Sequence, residues 1–162
     1  MTSLLDRCRD RPRRRVAAGS VVIAEGSTER RLLIVAAGTF VVSRNGQRVA
    51  TVSEEGSVLG EMSVLLDRPA TATVSAGEAG GELVEIDDPA SFLTANPDAL
   101  LDVARMLATR LDAATSYLAD LGRQYGPSAG NLGLIGEVLT TLTMGPPRTA
   151  EPGSEREPDP EY

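Results

Sequence analysis

Histidine is absent from the chain and cysteine occurs once, as Cys8. Without imidazole there is no His-based triad and no ordinary zinc site, and a single thiol allows no intrachain disulfide. Lying near a terminus, Cys8 reads as an incidental thiol. Aromatics make up only 3% of the residues, so a core has to be built from Val, Leu, Ile and Ala, a set whose β-branched members suit pleated surfaces. No apolar run approaches the roughly 20 residues that span a bilayer, and Leu4-Leu5 is too short for a signal-peptide core. A cytoplasmic location with no membrane partner is expected. The sequence shows neither carboxylates paired in a shared motif nor a nucleophile beside a base. Catalytic residues, metal ligands and cofactors are therefore not expected, and neither is an enzyme.

The 162 residues, 41% hydrophobic and 24% charged, suffice for one ordinary domain with an appendage. A net charge of −7 speaks against a nucleic-acid partner, since neutralising phosphates needs a basic face. Arg7, Arg9, Arg11, Arg13, Arg14 and Arg15 crowd the N-terminus against that trend. They read either as an arm for an anionic partner or, more simply, as a solvated edge.

A short helix from Ser3 to Arg9 is expected before Pro12, and strands from Val16 to about Asp87. Val21-Val22-Ile23, Leu32-Leu33-Ile34-Val35 and Phe40-Val41-Val42 are short, β-branched runs separated by Gly19, Gly26, Gly38 and Gly56. Asn45-Gly46 between apolar stretches predicts a type I′ hairpin. Short strands at this spacing point to a sandwich or barrel. Asn96-Pro97 then opens a helix, with Asn as N-cap and Pro at the first helical position. Leu100, Ala104, Leu107, Leu111, Ala114, Leu118 and Leu121 step by four and three as a heptad seam. Gly122 and Gly126-Pro127 are expected to end it, making a rod of about 37 Å. That is longer than cover for one barrel requires, so the seam packs partly on the barrel or pairs with a second copy. Ile135, Val138, Leu139 and Leu142 mark a weaker helical face within 131–144. The tail from Gly145 is rich in Pro, Glu and Gly and reads as disordered. The expected division is a basic segment 1–15, a domain 16–121 that includes the long helix, a hinge and weak amphipathic helix 122–144, and an acidic tail 145–162.

The stretch with chemical content is Gly60-Glu61-Met62-Ser63-Val64-Leu65-Leu66-Asp67-Arg68-Pro69-Ala70-Thr71-Ala72-Thr73-Val74. A glycine after a strand, one helical turn and a return into a strand make a loop that aims main-chain N–H groups at one point, which favours an anion. A carboxylate beside an anion, as Glu61 would be, makes sense if it accepts hydrogen bonds from hydroxyls, such as those of a sugar next to a phosphate. Glu61 as a simple helix cap is the competing reading.

From Val16 to Leu121 the chain resembles the cyclic-nucleotide-binding domain of the catabolite activator proteins and of the regulatory subunits of cAMP-dependent protein kinase. The likeness rests on Gly26, Gly38 and Gly56, on Leu33-Ile34-Val35-Ala36-Ala37-Gly38, on Asn96-Pro97 and on an ungapped phosphate-binding cassette. It implies a mainly β fold, a double-stranded β-helix or jelly-roll-like barrel with flanking helices and a long C-terminal helix. It implies a ligand set of Gly60, Glu61, Met62, Thr71, Ala72 and Thr115, with Ser116 beside the last. Gly60 would offer its N–H, Glu61 would take the ribose 2′-hydroxyl, and Thr71 and Ala72 would offer donors to the cyclic phosphate. Thr115 lies where similar receptors touch the base. Thr71 and Thr73 also read as ordinary strand residues, and Thr115 and Ser116 as ordinary helix-face residues. The implied ligand is cAMP or cGMP.

The family's phosphate Arg falls at Ala70. A hydrogen bond to a charged group contributes about 1.5–3 kcal/mol, so its loss weakens binding on the order of 100-fold; Arg68 lies two residues from the required position. The expected function is therefore a non-catalytic sensor with weak or altered ligand binding. The alternative is a ligand-free barrel that dimerises or binds a protein through Leu100–Leu121 and residues 131–144. A transcription factor is the weakest reading, because the remaining residues are too few, and too glycine-rich and acidic, for a DNA-binding domain.

Overall fold

The computed structural model describes residues 4–125 and, beyond them, Val138. The chain divides into two compact units, Met1–Ala108 and Thr109–Tyr162.

In the first unit, helix α1 (Leu4–Arg7) precedes strands β1 (Arg13–Val16), β2 (Val21–Ile23), β3 (Leu32–Arg44), β4 (Gln47–Val52) and β5 (Val58–Leu59). Helix α2 (Glu61–Leu65) leads into β6 (Thr73–Ile86), α3 (Pro89–Ala95) and the start of α4 (Pro97–Tyr125). All pairings are antiparallel. Two long strands, β3 and β6, form the spine. The first half of β3 pairs with β5 and its second half with β4. The first half of β6 pairs with β2 and its second half with β1. Each long strand thus serves two half-sheets, and the register slips where they cross, between Val35 and Ala37 and between Gly38 and Phe40. Gly38 makes the crossing feasible. It holds φ +86°, and a Cβ there would lie 2.5 Å from the Gly80 oxygen and the Gly81 Cα.

The run Leu32–Val35 is continuously apolar because both of its faces are buried. Leu33 and Val35 enter an interior cluster with Val22, Ile23, Phe40, Leu59, Val74 and Leu83. Leu32 and Ile34 point into an outer cluster with Leu4, Val58, Val84, Ile86, Leu93, Ala99 and Val103. That outer cluster fixes α1, α3 and the first turns of α4 on the sheet. Cys8 is buried in it as well, so it is a packed core residue and not an incidental surface thiol. Burial pushes its pKa up, against a smaller opposite pull from Arg11.

The hairpin at Asn45-Gly46 forms as expected, both residues having positive φ (50° and 74°) and Arg44 pairing with Gln47. Other boundaries differ from the sequence expectation. The first helix ends at Arg7 and not Arg9, Ser3 lying outside the described residues, and the sheet begins at Arg13, inside the segment read as a separate basic stretch. Arg14 and Arg15 lie opposite acidic β6, with ion pairs Arg14–Glu85 (3.5 Å) and Arg15–Glu82 (3.0 Å). Arg7 pairs with Asp98 and Asp102, Arg9 with Asp6, and Arg11 stacks over Phe92. The crowded arginines are thus largely neutralised within their own unit. The Asn96 side chain does not cap α4; its amide donates to the Phe92 oxygen and closes α3. Helix α4 passes through Gly122 to Tyr125. In its first turns it buries Ala99 and Val103, a stripe beside the heptad seam, while Leu100 and Ala104 stay exposed. The expected helical face in 131–144 and the tail 145–162 lie outside the described residues, apart from Val138, which is exposed.

The described part of the second unit is the rest of α4 and Val138. Leu111 (45% exposed) and Tyr117 (66%) are exposed there, and Leu118 and Leu121 are half-buried.

Candidate functional site

Strand β5 delivers the chain to Gly60, which has φ +84° and precedes α2. Two constraints demand glycine: the left-handed backbone, and a Cβ position only 2.1 Å from the Arg31 carbonyl oxygen and 3.0 Å from Ile23 Cδ1. The turn into α2 is therefore pressed onto the end of β2 and the residue before β3. Ser63, itself buried, donates its hydroxyl to the Gly60 carbonyl at 2.8 Å and fixes the first turn of α2. Glu61 is buried (4% exposed) and has an interaction partner. Met62 faces outward at 43% exposure.

Helix α2 closes with Leu66 N–H on the Met62 oxygen, followed by Arg68 N–H on the Ser63 oxygen. Asp67 adopts φ +53° at the turn, and its carboxylate pairs with Arg30 at 2.8 Å. The returning segment then meets the loop after β2. Ala70 donates its N–H to the Ser27 oxygen (2.9 Å), and its carbonyl accepts from Gly26 N–H (2.7 Å). Thr73 Oγ1 accepts from Glu25 N–H at 3.0 Å. Among the described residues, the N–H groups of Thr71 and Ala72 have no hydrogen-bond acceptor, and both residues are half-buried. These are the donors that the family resemblance implies for a cyclic phosphate.

Both arms of the cassette thus rest on one support, the segment from Ile23 to Arg31. Gly60, Glu61, Met62, Thr71 and Ala72 all belong to the first unit. Thr115 belongs to the second, where its hydroxyl donates to the Leu111 and Asp112 carbonyls of its own helix; Ser116 is exposed.

Ala70 is 7% exposed and packs in the apolar interior cluster with Val22, Ile23, Val35 and Phe40. Glu61 and Ser63 are the buried polar or charged residues among those described, so no buried cation stands in for a guanidinium. Arg68 is exposed and its side chain has no partner among the described residues. Among the described residues of the first unit, two recesses lie away from the cassette. One of about 320 Å³ is lined by Val21–Ala24, Ser27, Glu29 and Arg31, and one of about 220 Å³ by Leu4, Glu54–Val58, Asp102 and Met106. Neither is lined by Glu61, Thr71 or Ala72. The described residues contain no cluster of three or more metal-ligating side chains, and no described helix is long and apolar enough to cross a membrane.

Sequence reasoning located the two arms but missed their support. Gly26 read as a turn glycine shared with the resembling family, and Glu25 and Ser27 drew no reading. Their contacts span 43 to 48 positions, and no local pattern reports bonds of that range.

Known proteins resemble this chain in sequence and in fold. A family model described as cyclic nucleotide-binding domain matches residues 13–92. Over 73 residues the chain is 34% identical to a cGMP-dependent protein kinase of Toxoplasma gondii, a stretch that is 45% of this chain and 7% of that protein. The crystal structure of the Thermus thermophilus catabolite activator protein matches with TM-score 0.57 at 21% identity, over 87% of this chain and 81% of that one. A cAMP-bound PfPKA-R structure matches with TM-score 0.53 at 23% identity, over 68% of this chain and 37% of that one. At such identities the structural likeness speaks for the fold. The chain spans only a small part of the kinase and about a third of the PfPKA-R chain.

Proposed function

We propose that this chain, which belongs to the cyclic nucleotide-binding domain family through residues 13–92, is a non-catalytic regulatory module whose cassette binds a cyclic nucleotide weakly or with altered preference. That it is a regulatory module of cyclic-nucleotide-binding type follows from the family. The altered binding is our reading of Ala70. The observation that carries it is the formed cassette: Gly60 locked on Arg31, Glu61 buried, and Thr71 and Ala72 with open N–H donors. Main-chain donors and a hydroxyl can hold a phosphodiester. Without a guanidinium the complex lacks about 1.5–3 kcal/mol, on the order of 10- to 100-fold in affinity.

Calorimetry with cAMP and cGMP tests this. Weak binding, saturating only near millimolar ligand, is the expected result. An absence of heat with both nucleotides at millimolar concentration removes the cyclic-nucleotide reading.

A second reading is favoured by the exposed apolar residues of α4. Leu100, Leu101, Leu111 and Tyr117 are exposed, and the seam from Leu100 to Leu121 suits pairing with a second copy. A homodimer, or a docked protein partner, built on a barrel that binds nothing would follow from this reading. A cytoplasmic location accords with both.

A further inference from the structure

The loop after β2 grips the outgoing arm of the cassette through Gly26–Ala70, Ala70–Ser27 and Glu25–Thr73 hydrogen bonds. Glu25 also reaches the opposite way. Its carboxylate Oε2 accepts from the N–H of Asn45 at 2.9 Å, and Asn45 is the φ +50° residue of the β3–β4 turn. From within the loop that holds Ala70, Glu25 therefore bonds two remote pieces of chain: the first residue of β6 through its N–H and the tip of the β3–β4 hairpin through its carboxylate.

We propose that Glu25 is a positioning residue for the cassette, tying the loop that holds Ala70 to the β3–β4 turn so that Thr71 and Ala72 are set in one pose before any ligand arrives. The proposal rests on reading the cassette as the ligand site, and it adds how that site is kept formed without a ligand-pairing arginine. Both main-chain groups of Ala70 are consumed by the grip, so a ligand meets the N–H groups of Thr71 and Ala72 and not that of Ala70. A loop already fixed in its bound pose loses less conformational freedom on binding, which offsets part of the missing charge contact. The Asn45 N–H lies at a two-residue turn, where no ladder partner is available to it. The carboxylate satisfies that donor and in return gains an anchor that does not depend on the cassette.

Hydrogen–deuterium exchange on the full chain without ligand reads the clamp directly. The amides of Gly26, Asn45 and Ala70 are expected to be protected in the wild type. Glu25→Ala is expected to speed their exchange at least about tenfold, equivalent to about 1.4 kcal/mol of local opening. The Val35 amide, bonded to the Ser57 oxygen at 2.8 Å, should keep its wild-type rate. Glu25→Gln, which retains an acceptor oxygen for Asn45, should recover most of the protection. No acceleration at Gly26 and Ala70, or an equal acceleration at Val35, overturns the clamp. Calorimetry with cAMP on the same variants is expected to show affinity lost in Glu25→Ala and recovered in Glu25→Gln. Unchanged affinity in Glu25→Ala overturns the positioning role. A wild type that takes no cAMP sinks the ligand reading and the positioning role with it, while the exchange rates still decide the clamp.

Discussion

At the scale of single residues, Gly60 and Ala70 carry opposite lessons. Gly60 is constrained twice, by φ +84° and by the Arg31 oxygen 2.1 Å from where a Cβ would sit. Since the obstructing atom is backbone, no rotamer change relieves the clash. Gly60→Ala is expected to cost more than about 2 kcal/mol, combining left-handed strain with displaced backbone, and urea denaturation measures it. A cost below about 1 kcal/mol would mean that the turn shifts freely. Ala70 sits where an arginine would have to leave an apolar cluster or charge its edge. Ala70→Arg is therefore expected to lower the melting temperature without ligand, because a buried unpaired charge is costly. It should also tighten cAMP on the order of 10- to 100-fold and regain the lost stability when cAMP is added. Unchanged cAMP affinity in this variant would show that position 70 does not face the ligand. Both residues were legible in the sequence because the cassette is contiguous there. Glu25 was not, because its two partners, Thr73 and Asn45, are remote in sequence and its residue type is unremarkable for a loop.

Among the elements, those whose pattern is local were readable and those defined by their neighbours were not. The Asn45-Gly46 hairpin needs only positive φ at two adjacent positions, and the sequence displays that need. The residues of β1 read as part of a basic segment, because the carboxylates that pair with Arg14 and Arg15, Glu85 and Glu82, lie on a strand remote in sequence. Asn96 looked like a cap for the helix it precedes and instead closes the one it follows. Helix α3 escaped notice because seven residues carry too little periodicity. Its start is nonetheless well marked: Pro89 occupies the first turn and the Asp88 carboxylate accepts from Ser91 N–H at 3.1 Å. Hydrogen bonding from the Ser91 side chain foremost, and from its N–H, holds the Asp88 pKa below its ordinary 3.8. A carboxylate whose folded pKa is depressed stabilises fully above its unfolded value, and the contribution disappears as pH falls through the folded one. Asp88→Ala is accordingly expected to be less stable than wild type at neutral pH, with the difference shrinking as the solution is taken well below pH 3.8. Thermal melts across that range check it, and a difference that does not change with pH would assign the effect to something other than the charged cap.

For the molecule as a whole, the question is what the apolar side chains of α4 are for. The helix covers the barrel with Ala99, Val103 and the half-buried Met106 and Leu107, a stripe that shares only Leu107 with the heptad reading. The seam of that reading keeps Leu100 and Leu111 exposed, and of its members only Leu107 packs against the outer cluster. A helix that needed only to cap a barrel would end after its covering stripe, whereas this one continues to Tyr125. Leucines repeating by four and three on a solvated helix are matched by the same repeat on another helix, since each knob then fills a hole of identical spacing. A second copy supplies that repeat without any further component. Sedimentation equilibrium of the full chain is expected to show a dimer. The double variant Leu100→Glu and Leu111→Glu is expected to be monomeric, with unaltered β-sheet circular dichroism, because both positions are exposed in the single chain and a charge there would be buried in the pair. A wild type that stays monomeric at every accessible concentration would leave the seam to a different protein. A double variant that remains dimeric would move the interface off α4. In either event the ligand affinity of the barrel is an independent measurement, since the cassette and its support lie wholly within the first unit.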